Sequence, residues 1–214
     1  MVSGKVRMKF YKVGKLKFIS HLDLMRTMKG ALGRAKVPLK YTEGFNPHPK
    51  LVFSLPLPVG AESRCEYLDV TLTEECDPAA LMQSINSQLT KELQITQIYP
   101  VEMDLRDIVC AEYDFVFHDI SYEELNGALE GTLFIEKRSK KGMLTVDLRQ
   151  KISQFTIENL PEGICFHAVL GTDSGEFVNP ELLVRAIEAK LQKPIEYYSI
   201  MRLNLYASGG RLFR

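Results

Sequence analysis

The run Asp77-Pro78-Ala79-Ala80-Leu81 returns 102 residues further on as Asn179-Pro180-Glu181-Leu182-Leu183, with Ile85 matched by Ile187 and Leu89 by Leu191. Both runs read as helix starts. Asp or Asn accepts an amide hydrogen as N-cap, and proline at the first helical position gives up no hydrogen bond. Leu81, Ile85 and Leu89 then recur at four-residue spacing and make one apolar stripe. Ser20 and Ser121 stand 101 residues apart, each ahead of a further helix, and Glu124 completes a capping box with Ser121. Two sets of caps in register point to a duplicated unit, with expected boundaries 1–103 and 104–214.

Alternation of apolar and polar residues marks strands with one buried face around each pair of helices. Val6, Met8 and Phe10 point one way, and Arg7, Lys9 and Tyr11 the other. Further strands are expected at 51–55, 66–72 and 93–99, then at 113–118, 132–138, 143–147, 164–170 and 195–206. The order β-α-β-β-α-β emerges in the first half and, with one extra strand, in the second. The expected fold class is therefore α+β, two tandem ferredoxin-like (βαββαβ) units with antiparallel sheets. The basic run from Lys137 to Gly142 would sit at a hairpin tip, where a solvated turn is its plain reading.

Composition narrows the class. With 45% hydrophobic and 25% charged residues in 214, the chain reads as ordinary globular protein. No run of about 18 apolar residues occurs, so no membrane segment is expected and a cytoplasmic location follows. Cys65, Cys76, Cys110 and Cys165 are scattered without a C-x-x-C pair, which reads as reduced thiols and no metal site. Phosphate-loop, dinucleotide, zinc-protease and nucleophile-elbow motifs are absent, and no cofactor is expected.

Net charge is zero, yet residues 1–50 carry twelve Lys or Arg against Asp23 and Glu43. Such asymmetry points to a polyanion or an acidic protein as partner. Three features share the positive charge. On the first helix, Leu22, Met25, Met28, Leu32 and Ala35 are expected to face the core, while Arg26, Lys29, Gly30 and Gly33 cluster opposite. Glycine costs about 1 kcal/mol relative to alanine in a helix, so a bare, basic side suits either a packed helix or a phosphate backbone. On the first strand, Arg7, Lys9 and Tyr11, with Tyr67 of a neighbouring strand, would form an outward platform for RNA bases. A polar outward face is the plain alternative. The third is the run Tyr41-Thr42-Glu43-Gly44-Phe45-Asn46-Pro47-His48-Pro49-Lys50, a proline-stiffened loop displaying Glu43, Asn46, His48 and Lys50.

That run, together with Phe18-Ile19-Ser20-His21-Leu22-Asp23-Leu24-Met25-Arg26, Leu57-Pro58-Val59-Gly60 and Glu66-Tyr67-Leu68-Asp69-Val70, resembles the radical SAM-linked family of bacterial domains of unknown function. The resemblance is specific over about residues 6–72 and looser beyond. It implies a companion of a radical S-adenosylmethionine protein, encoded beside it or fused to it. The chain has no C-x-x-x-C-x-x-C triplet, so it would be the companion alone.

Three functions are weighed. The leading one is a non-enzymatic RNA-binding or substrate-presenting module acting with a radical SAM protein, in modification of tRNA or rRNA. Its binding residues would be Arg7, Lys9, Lys17, His21, Asp23, Arg26, Lys29, Tyr41, Glu43, Phe45, Asn46, His48 and Lys50. The second is a metal-independent RNA endonuclease in which His21 moves the proton of a ribose 2′-hydroxyl, with Tyr41, Lys17 or Arg26 steadying the phosphate. A helix-capping or loop-fixing role is the alternative for His21. The third is a scaffold for an acidic protein surface. Asp23 and Glu43, inside the basic segment, read as salt-bridge partners of Arg26, Lys50 or His48.

Overall fold

A computed structural model of the chain describes residues 1–139, 142–173 and 176–214. The chain divides into two compact units, Met1–Asp107 with Phe213–Arg214, and Ile108–Leu212. Each is a mixed architecture of α-helices and antiparallel strands.

The first unit runs β1 (Val2–Lys12), α1 (His21–Arg34), β2 (Val52–Phe53), β3 (Ala61–Cys76), α2 (Pro78–Asn86) and β4 (Leu93–Pro100). The strands lie in the order β4-β1-β3-β2, every neighbour antiparallel. Caps define the helices: the Ser20 hydroxyl accepts from the Asp23 amide at 3.1 Å and Asp77 accepts from the Ala80 amide at 2.9 Å. Val6, Met8 and Phe10 of β1 join Leu68 and Val70 of β3 and Ile95 of β4 in one core with Leu24, Met28 and Leu32 of α1 and Ile85 of α2. Burying each such side chain contributes about 1.5–3 kcal/mol. The Arg34 guanidinium donates to the Gln88 side chain and carbonyl at 3.2 and 3.0 Å, tying the end of α1 to the turn after α2.

The second unit runs β5 (Ile108–Phe117), α3 (Tyr122–Leu129), β6 (Phe134–Ser139), β7 (Gly142–Asp147), β8 (Ile152–Leu160), β9 (Gly163–Asp173), β10 (Glu176–Phe177), α4 (Pro180–Leu191), β11 (Tyr198–Ala207) and β12 (Arg211–Leu212). Its main strands pair in the order β8-β9-β5-β11, while β6 and β7 form a separate hairpin. Ala111, Tyr113, Phe115 and Phe117 of β5 are buried, as are Leu125 of α3 and Leu183 and Ile187 of α4. Lys140 and Lys141, expected at the hairpin tip, lie outside the described residues.

Three local expectations are corrected. Leu22 is 62% exposed, because the core stripe of α1 is Leu24, Met28, Ala31 and Leu32, and Leu22 with Met25 belongs to a second, adjacent flank. The strand expected from residue 195 begins at Tyr198, since the chain leaves α4 through a left-handed Gln192 and then meets Pro194. Strand β8 escapes the alternation reading because a bulge between Ile152 and Gln154 puts its apolar residues at 152, 155 and 157, breaking the period of two.

Candidate functional site

Helix α1 gives its second flank to a loop. The loop follows α1, is pinned to β3 where the Lys40 amide donates to the Thr71 carbonyl, and doubles back on itself, with Tyr41 bridged to Pro49. The Thr42 amide donates to the His48 carbonyl at 2.9 Å, and the His48 amide donates to the Thr42 hydroxyl at 3.2 Å. His48 Nδ1 lies 3.2 Å from both the Thr42 hydroxyl and the Asn46 carbonyl. A carbonyl only accepts, so the bond to Asn46 needs the proton on Nδ1, and a neutral ring then carries its lone pair on Nε2. The result is a stiff tongue, closed at its base and extended by Pro47 and Pro49.

Between tongue and helix lies a cleft of about 350 Å³. One wall is Leu22, Met25, Arg26 and Lys29 of α1, and the other is Thr42, His48, Pro49 and Lys50, with Leu51. No carboxylate lines it. Arg26 is steadied from outside by Asp23 at 3.0 Å. The Ser20 hydroxyl and the Arg26 guanidinium, hydrogen-bonded to Asp23, hold its carboxyl below the ordinary carboxylate range. Among the described residues neither Lys29 nor Lys50 enters an ion pair. Beside Lys29 the helix is bare: Gly33 is exposed, and a Cβ placed there would meet nothing within 4 Å.

The other expected residues take different places. Tyr41, Glu43, Phe45 and Asn46 stand exposed on the tongue, Phe45 at 112%. The Lys17 ammonium sits 5.3 Å over the Phe18 ring. The His21 ring meets Phe53 edge-on at 5.7 Å, and Phe53 meets Phe10 at 6.3 Å, so His21 packs on the rim of the core and is not a wall of the cleft.

The outward platform on β1 is corrected. Arg7 is fully buried, donating to Asp69 at 2.7 and 2.9 Å, to the Met103 carbonyl at 2.8 Å and to the Arg214 carbonyl at 3.1 Å. Its guanidinium lies 4.5 Å from the centre of the Phe213 ring. Tyr67 is buried too, donating its hydroxyl to the Phe213 carbonyl at 2.8 Å, and burial pushes that phenol up. Alternation assigned the correct face to both side chains and could not reveal that Phe213–Arg214 covers it. Lys9 stays part-exposed, 5.9 Å from the Tyr67 ring.

The second unit holds a cluster that sequence reasoning missed. His167 of β9 stands between two acids of β5, with Nδ1 2.7 Å from Asp114 and Nε2 3.0 Å from Glu112. Glu112 also accepts from Asn204 at 2.6 Å and from the Tyr206 hydroxyl at 2.7 Å. Burial alone would push the Glu112 carboxyl up, but these two hydrogen bonds and the His167 charge hold it below the ordinary value. The cluster borders a cleft of about 370 Å³ with Cys110, Ser153, Phe155 and Thr156 on its lining. Alternate positions 112 and 114 were the available signal, but their partners lie 53 and more residues away. Among the described residues no group of His, Cys, Asp and Glu is arranged to hold a metal ion, and no helix is long and apolar enough to cross a membrane.

A family model described as an uncharacterized protein conserved in bacteria matches residues 5–180. No curated protein matches the chain. An unknown protein from Galdieria sulphuraria is 10% identical, with a TM-score of 0.28 over 95% of this chain and 98% of that one. A heavy metal efflux pump is 8% identical, with a TM-score of 0.25 over 94% of this chain and 28% of the pump.

Proposed function

We propose, for a chain that belongs to the DUF2344 family of uncharacterized bacterial proteins, that its first unit is an RNA-binding, substrate-presenting module acting beside a radical SAM enzyme in RNA modification. One observation carries the RNA reading. Arg26, Lys29 and Lys50 converge on a cleft with no carboxylate in its walls. Cations so placed neutralise phosphates, which supply most of the nonspecific affinity for nucleic acid. The radical SAM partner rests on the sequence resemblance, and two of the stretches that carry it, residues 18–26 and 41–50, also supply most of the cleft's walls. Iron–sulfur and S-adenosylmethionine chemistry would belong to that partner.

We read both units as ferredoxin-like. The orders β4-β1-β3-β2 and β11-β5-β9-β8, with a helix following the first and third of the four main strands in each, support this. Such a scaffold sets α1 rigidly and leaves the long connection after it free to form the tongue. The protein would then act in the cytoplasm, where its RNA and its partner are made.

Filter binding of bulk tRNA and rRNA fragments at several salt concentrations tests the reading. Retention that falls steeply with salt, and weakens when Lys29 and Lys50 are both changed to Ala, is expected. Equal retention of wild type and double variant would remove the cleft from the proposal, and no retention even at low salt would end it.

A further inference from the structure

We infer that the cleft between α1 and the tongue takes one unpaired nucleotide, so that the RNA bound is single-stranded at this point; the inference rests on the RNA-binding reading. Size comes first. A volume of about 350 Å³ is at the small end for ligand pockets, matching a single nucleotide and excluding a helix.

The chemistry of the walls agrees. Leu22, Met25, Pro49 and Leu51 offer apolar surface, and a base that has left its stack has two apolar faces to bury. A base inside a duplex hides those faces against its neighbours and shows only edges and phosphates, so a duplex would leave the apolar walls wet. Leu22 is 62% exposed, a large apolar side chain at the mouth of a basic cleft. Polar groups are few and fixed. The Thr42 hydroxyl and the His48 ring, locked to each other and to Asn46, are placed for a base edge, with His48 Nε2 as acceptor in the neutral ring.

Phosphates on either side of the nucleotide would meet Lys29 and Lys50, and the bare surface at Gly33 lets a sugar-phosphate backbone approach the helix. Arg26, held by Asp23, presents a guanidinium plane of fixed direction, a surface on which bases stack. Phe45, fully exposed at the tongue, is the platform for the next base along the strand. A run of acidic side chains would meet the same cations but would leave the apolar walls uncovered.

The experiment is fluorescence anisotropy with a labelled 12-nucleotide RNA, single-stranded and annealed to its complement, against wild type, Leu22→Ser and Lys29→Ala. Single-stranded RNA is expected to bind about ten-fold more tightly than the duplex. Leu22→Ser, at an exposed position whose fold is checked by its melting temperature, should cut single-strand affinity about five-fold and leave the salt slope unchanged. Lys29→Ala should lower that slope by about 0.7. Equal binding of both forms, insensitive to Leu22→Ser, overturns the single-nucleotide inference while RNA binding stands. No binding of either form at low salt overturns both, and capture of a poly-glutamate peptide in place of RNA would assign the cleft to an acidic protein.

Discussion

Asp69 grips Arg7 through two parallel hydrogen bonds of 2.7 and 2.9 Å, at a place where neither side chain reaches water. Taking both charges out of water costs several kcal/mol per ion, and the pair persists because backbone oxygens of Met103 and Arg214 receive two of the three remaining guanidinium hydrogens. A cation that the sequence offers to RNA is thus spent inside the first unit.

Arg7→Met should destabilise the first unit by about 3–5 kcal/mol, because it leaves Asp69 charged and buried with only Lys5, 54% exposed and 3.4 Å away, to answer it. Arg7→Met with Asp69→Leu should recover most of the loss. Hydrogen exchange of the β1 and β3 amides reads the difference; equal protection in wild type and single variant would refute the assignment.

Acid should loosen the second unit through Glu112. An unfolded chain protonates this carboxyl near its ordinary value of 4.5, whereas the folded chain keeps it ionised to lower pH. Between those two values the unfolded state binds more protons, so stability is present above the window and is lost as pH falls through it. Glu112→Gln should flatten the pH dependence of denaturant midpoints below the unfolded value, while Asn204→Ala, which removes one donor, should shift the loss to higher pH.

Helix α3 depends on a reciprocal cap, since Ser121 accepts from the Glu124 amide at 3.1 Å and Glu124 accepts from the Ser121 amide at 2.8 Å. Ser121→Ala should cost about 1 kcal/mol, seen as faster amide exchange in the first turn of α3. Ser20→Ala should cost a similar amount in α1 and also free Asp23, whose carboxylate the Ser20 hydroxyl donates to at 2.7 Å.

Phe45 makes the cleanest separation of binding from folding. At 112% exposure its replacement by Ala should change stability by less than about 0.5 kcal/mol. RNA affinity should nonetheless fall about five- to ten-fold, the worth of one stacked base. Unaltered affinity would remove Phe45 from the interface.

Helices were the legible part of the sequence, because caps and four-residue periods act within a turn: Ser20, Asp77, Ser121 and Asn179 all stand as N-caps. Strands were legible where the period of two ran unbroken, and not where the bulge at Ile152–Gln154 shifted it. For the site, the sequence supplied the basic helix flank and the stiff loop but not their meeting. Leu22 was assigned to the core because it continues the helical spacing of Met25, Met28 and Leu32, and only packing decides which stripe is covered. Glu112 and His167 were invisible as partners for the same reason that Arg7 and Phe213 were: each pair is joined across a sheet or by a distant segment, and no local pattern reports that.

Phe213–Arg214 closing over Arg7 and Tyr67 also sets an order of events during synthesis. The first unit borrows its lid from a segment that follows the whole second unit in the chain. Translation delivers β1 and β3 some 140 residues before Phe213, whose carbonyl is 146 positions from the Tyr67 hydroxyl it receives. During that interval the nascent unit would carry an Arg7 paired with Asp69 but lacking its Phe213–Arg214 cover, and an open aromatic face. A fragment ending near residue 107 should keep that immature state, with Arg7 held by Asp69 and Met103 alone and the Tyr67 face uncovered, so RNA bound by such a fragment would not report on the finished protein.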